Sequence, residues 1–165
     1  MAINLPRKIV EEASKRGVSV EEVLIQALAK AAGLDPKTVA EARLELAEKY
    51  VEEGRGLLDT DPVQASEKLY KAAEEAVKAL ATYFNVSSVL RRVEERGGWS
   101  VADLVEAVEA ISDKLGAWFI EAWDSAWVLH VWGFHEAKLT SESIKRRLPQ
   151  VEKIVKEAGR LIRSR

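Results

Sequence analysis

The sequence predicts an all-α fold: an antiparallel helical bundle over residues 38–165, preceded by an N-terminal helical extension over 1–37. Three observations carry this. Apolar residues recur at spacings of three and four along nearly the whole chain. Capping residues and Pro–Gly punctuation bracket those periodic runs. The 165 residues are 47% hydrophobic and 32% charged, and a chain of this length buries enough apolar surface for one core without staples.

The elements follow in order. Leu5-Pro6 opens a first helix with Ile9, Val10 and Ala13 as its apolar face, and Gly17 ends it. Ser19 and Glu22 form a capping box for a second helix (Val23, Leu24, Ala27, Leu28, Ala31) that stops at Gly33. Asp35-Pro36 starts a third helix running to about Leu57, with Ala40, Leu44, Ala47, Val51, Gly54 and Leu58 inward. The short Asp59–Asp61 loop makes the next helix its antiparallel neighbour.

That fourth helix, 62–84, carries two apolar stripes. One is Ser66, Tyr70, Ala73, Val77, Leu80 and Phe84, and the other is Ala65, Leu69, Ala72, Ala76, Ala79 and Tyr83. Two buried faces place it centrally. The pairs Glu67–Lys71, Lys71–Glu75 and Glu74–Lys78 are expected on its remaining, solvated side. A short helix with Val86, Val89, Leu90 and Val93 closes at Gly97-Gly98. Ser100 caps a sixth, which is expected to bury Leu104, Val105, Val108, Ile111 and Leu115 and to point Asp103, Glu106, Glu109 and Asp113 towards water.

Residues 116–134 read as an aromatic helix buried on most sides, ended or bent at Gly133. A strand over 126–134 competes, but the sustained spacing from Trp118 onward favours the helix. Thr140 caps the last helix. Its stripe of Ile144, Leu148, Val151, Val155, Ala158 and Ile162 stays in register across Pro149, which points to one kinked helix.

Composition excludes several classes of function. With no Cys there is no disulfide scaffold, thiolate zinc site, iron–sulfur cluster or Cys nucleophile. The uncharged, Trp-rich stretch Ser125–His135 is about half of a membrane span. The first 30 residues carry scattered charges and no signal core, so a cytoplasmic protein is expected. Only two Asn and three Gln occur beside abundant Glu, Lys and Arg, a pattern of growth at high temperature.

No phosphate loop or nucleophile elbow is present. His130 and His135, five apart, do not share a face of a regular helix, although a break at Gly133 could bring them together. Without recognised ligand spacing they read as a packed core imidazole and a polar edge residue. No metal and no cofactor is expected. Glu121 and Asp124, three apart, read as a solvated edge.

The net charge of −2 is unevenly spread: residues 99–137 carry −6 and residues 138–165 carry +6. Lys153, Lys156, Arg160 and Arg163 share one face of the last helix, with Arg146 and Arg147 before it. This basic set is the candidate binding surface, either for nucleic-acid phosphates or for the acidic segment 99–137 of its own bundle or of a second copy. His130, His135 and Trp132 complete the candidate binding residues. The order extended piece, helix, Gly17, helix over 1–28 resembles a ribbon-helix-helix DNA binder, but the would-be ribbon has no Arg or Lys and only Asn4 to read a base.

Three segments carry a resemblance over nearly the whole chain: L-P-R-K-I-V-E-E-A-S-K-R-G at 5–17, D-P-V-Q-A-S-E-K-L-Y-K-A-A-E-E-A-V-K-A-L at 61–80, and L-H-V-W-G-F-H-E-A-K-L at 129–139. In these the sequence resembles the archaeal PaREP family, the repeat-encoded family numbered one, which implies a source among thermophilic archaea. More remotely, 38–165 is similar to the HEPN helical-bundle superfamily, whose active ribonucleases carry an Arg shortly before a His and dimerise to join two such motifs. Here the nearest Arg upstream of His130 is Arg96, so no catalytic residue carries over. The sequence therefore ranks a non-catalytic, homodimeric or partner-binding helical module first, a nucleic-acid or nucleotide-binding module second, and a hydrolase using His130 or His135 with a carboxylate third.

Overall fold

The computed structural model describes residues 2–164, and among them there are helices and no strand. Two compact units divide after Asp35. The first holds α1 (Arg7–Lys15) and α2 (Val20–Ala32), which touch each other. Ser19 caps α2 by accepting from Glu22 N–H at 3.3 Å, and Gly33 closes it in the left-handed conformation. Neither helix contains a buried residue.

The second unit holds α3 (Pro36–Leu57), α4 (Pro62–Tyr83), α5 (Ser87–Arg96), α6 (Val101–Leu115), α7 (Trp118–Val128), a π-helix (Leu129–His135), α8 (Ser141–Lys145) and α9 (Leu148–Ile162). Helix α4 touches every other element of this unit. Both of its expected stripes are buried from Ala65 to Leu80, and Ala72, Ala73, Ala76 and Ala79 have no exposure at all. Small side chains let its neighbours approach closely. The closest approaches use glycine: a Cβ on Gly54 of α3 would lie 2.7 Å from Leu69, and one on Gly133 of the π-helix 2.3 Å from Ser66 Oγ.

Several expectations are corrected. Glu75 and Lys78 are buried, not solvated, because α3 covers that side of α4. Arg43 of α3 reaches Glu75 at 3.0 Å, and Lys78 lies 3.3 Å from the same carboxylate. Val105 is exposed and Asp103 is buried, the reverse of the expected order on α6. Tyr83 is 42% exposed, since α4 ends there. The last stripe belongs to two helices, α8 and α9, separated by a turn at Arg146-Arg147. Pro149 lies in the first turn of α9, where its missing N–H interrupts no bond. Ile154, which the stripe skipped, is also fully buried.

Asp103 is buried because it completes a capping box. It accepts from Ser100 N–H and Ser100 Oγ at 2.8 Å each, and the guanidiniums of Arg92 and Arg96 close over it. Burial alone would push its pKa up. The Ser100 bonds and the two guanidiniums outweigh that and hold it below the ordinary carboxylate value. A depressed folded-state pKa adds stability that is present above the unfolded value near 3.9 and is lost as pH falls through the folded value. Asp103→Asn is therefore expected to lower the melting temperature at pH 7, and its difference from the parent should shrink at an acid pH where the folded carboxylate becomes protonated. Paired melting curves at the two pH values check this.

Candidate functional site

The basic face of α9 is largely occupied from within. Arg163 forms a two-bond pair with Glu48 of α3, at 2.5 and 2.9 Å. Arg160 pairs with Glu157 one turn before it. The Lys153 ammonium sits 4.2 Å over the ring of Trp118. Lys156 lines an open cleft of about 420 Å³ with Glu48, Glu52, Arg55, Glu152 and Arg163, and Arg55 bridges Glu52 and Glu152 there. Of the two preceding cations, Arg146 lies 3.7 Å from Glu142 and Arg147 donates to the Ser143 carbonyl at 2.9 Å. Among the described residues, the acids paired with this face are Glu48 on α3 and Glu157 on α9 itself, and within segment 99–137 the face meets the Trp118 ring through Lys153.

The expected regular helix over 116–134 is corrected too. Its last part is a π-helix, in which N–H groups reach carbonyls five residues back, as Glu136 does to Val131 at 2.9 Å. This register turns residues five apart towards the same side. His135 Nε2 accordingly lies 3.1 Å from His130 Nε2, their rings nearly perpendicular with centroids 4.5 Å apart.

The other nitrogen of His130 is held as well. His130 Nδ1 lies 2.9 Å from a carboxylate oxygen of Glu67 on α4. A carboxylate accepting from Nδ1–H leaves Nε2 as the lone-pair nitrogen. Tyr70 stacks on the His130 ring at 4.1 Å, and Trp127 lies 5.2 Å away. Burial, helped by the Glu74 and Glu67 charges, pushes the Tyr70 hydroxyl far above its ordinary range, so it stays a neutral platform. His130 is therefore a positioned imidazole in an aromatic wall, with the exposed His135 beside it at the surface.

Glu67 was not legible as a site residue, because at 62–84 it reads as one member of a surface pair with Lys71. Its only signal is that it shares the Tyr70 side of α4. Trp132 is half exposed. Glu121 and Asp124 are both exposed, the solvated edge foreseen for them. A second surface feature lies between α6 and α7, where exposed Val101 and Val105 border an apolar groove floored by Ile120, Trp123 and Trp127.

Fold and site together define an all-helical protein built around a central alanine-rich helix and a π-helical histidine pair. The sequence profile of the archaeal PaREP1/PaREP8 family matches residues 42–155, and the chain belongs to that family. It is similar to a crystal structure of a Sulfolobus solfataricus protein, with 37% identity and a TM-score of 0.68 over 72% of this chain and 98% of that one. It is similar also to a solution structure of the Orf c02003 protein, with 38% identity and a TM-score of 0.63 over 70% of this chain and 90% of that one. The two are structures of one and the same structural-genomics target. No curated protein matches the chain. The scarcity of Asn and Gln fits the Sulfolobus source of the neighbour.

Proposed function

We propose that the protein is a self-associating helical module of the cytoplasm of a thermophilic archaeon, its second unit an antiparallel bundle of the HEPN type. The observation that carries self-association is the first unit. It has about 35 residues, below the length at which a lone chain builds a sufficient core. Its α1 and α2 bury nothing, while Ile3, Leu5, Ile9, Val18, Val23, Leu28 and Leu34 are 41–62% exposed. A symmetric pairing of two such units is the ordinary way to cover an apolar surplus of this kind. The HEPN reading is supported by the α3–α4 hairpin with α9 laid against both helices. The ribonuclease inference is not, since Glu67 and not an arginine stands beside His130.

Light scattering on the full chain should give twice the 18.4 kDa chain mass. Ile9→Glu combined with Leu28→Glu should give the monomer with an unchanged helical spectrum, because both positions are exposed. A parent that stays monomeric at high concentration, or a dimer that survives both changes, would overturn the reading. The nucleic-acid alternative is weakened by the partners of Lys153, Arg160 and Arg163, which phosphates would have to displace. Duplex or single-stranded binding with a steep salt dependence that disappears on changing Lys153, Lys156, Arg160 and Arg163 to Gln would restore it.

A further inference from the structure

We propose that His130 and His135 form a two-imidazole chelate for a first-row divalent transition ion, with Glu67 as the residue that orients it. Three features of the geometry point there together. First, the π-helix brings the two Nε2 atoms to 3.1 Å. Atoms at that separation can both reach an ion at the usual 2.0–2.1 Å, with an angle at the metal of about 100°, between the octahedral and tetrahedral values. Second, Glu67 accepts from His130 Nδ1 at 2.9 Å. A carboxylate on the far nitrogen is the common support of a metal-bound imidazole: it fixes the tautomer and the ring orientation that present Nε2. Third, Tyr70 and Trp127 hold the His130 ring from the side, so that less rotamer freedom is lost on binding.

Among the described residues no group of three or more His, Cys, Asp or Glu side chains converges on one point. The chain therefore supplies two ligands. The remaining positions belong to water or to a ligand molecule, since the exposed His135 leaves that side open. Imidazole ligands select zinc, nickel, copper and cobalt over magnesium and calcium. The site differs from the HEPN ribonuclease arrangement in residue types and in chemistry, and it does not depend on self-association.

The test uses the full chain stripped with EDTA and dialysed, titrated with nickel and with cobalt ions in a calorimeter, with cobalt absorption followed in parallel. One ion per chain is expected, and cobalt should show the absorption of nitrogen ligation. His135→Ala should weaken binding at least tenfold without changing the metal-free melting temperature, because that side chain is exposed. Glu67→Gln keeps both imidazoles and should weaken binding about 10- to 100-fold. Excess nickel should raise the melting temperature of the parent, as any ligand of the folded state does, and should not raise that of His135→Ala. Equal affinity in parent and His135→Ala, or no binding by the parent at millimolar nickel, would overturn the chelate. Unchanged affinity in Glu67→Gln would overturn the orienting role.

Discussion

Glu75→Gln is expected to destabilise the helical bundle by about 3–5 kcal/mol, although the two side chains have nearly the same shape. Glu75 stands between two buried cations, accepting from Arg43 at 3.0 Å and from Lys78 at 3.3 Å, with all three side chains about 5–6% exposed. Removing the anion takes from both the guanidinium and the ammonium the buried carboxylate they share. Glu74, 3.7 Å from Lys78 and more exposed than Glu75, compensates in part. Simultaneous replacement of Arg43 by Met, Glu75 by Leu and Lys78 by Met should recover most of the loss, because a buried ion cluster contributes little net stability over a packed apolar one. Urea unfolding of parent, single and triple variants decides the matter. A single-variant loss below about 1 kcal/mol would mean that the cluster is solvated, as half-exposed pairs such as Arg163–Glu48 are.

That cluster also marks where the sequence stops being legible. The helices, their order and most core positions follow from spacing and caps, because apolar periodicity reports directly which face is dry. Both stripes of α4 and the start of α6 at Ser100 were readable in this way. Charge pairs are different. Lys71–Glu75 and Glu74–Lys78 have the spacing of solvated pairs, and nothing local says that Arg43, some thirty residues earlier, will cover them. Asp103 reads as a surface acid for the same reason: its burial depends on Arg92 and Arg96 reaching from α5. The histidine pair was legible only as a condition, a break near Gly133. A π-helix has no pattern of its own in a run as apolar as Trp127–Phe134, where only His130 is polar, because moving the register by one residue still buries apolar side chains. In the observed register Gly133 approaches Ser66 of α4 closely, a tertiary contact that single-chain periodicity does not report.

Gly133→Ala tests this directly, and the sign of its effect is the informative part. At an open helical position the change would stabilise by roughly 0.5–1 kcal/mol, since alanine loses less backbone entropy than glycine on folding. Here the new methyl would lie 2.3 Å from Ser66 Oγ and 2.6 Å from Ser66 Cβ, and both residues are fully enclosed. Ser66 Oγ is itself engaged, donating to the Pro62 carbonyl at 3.0 Å, so it cannot simply rotate away without leaving a polar group unsatisfied. The π-helix must move off α4, and overpacking of this kind costs about 1–3 kcal/mol. The displacement also separates His130 from Glu67, because those residues sit on the same two elements. Ser66→Ala should not rescue the variant, since the Cβ contact remains. Ser66→Gly should restore most of the lost stability despite its own entropic cost, because it removes every atom the new methyl meets on that residue. A Gly133→Ala protein as stable as the parent would show that α4 and the π-helix do not approach this closely, and the pairing of His130 with Glu67 would lose its structural support at the same time.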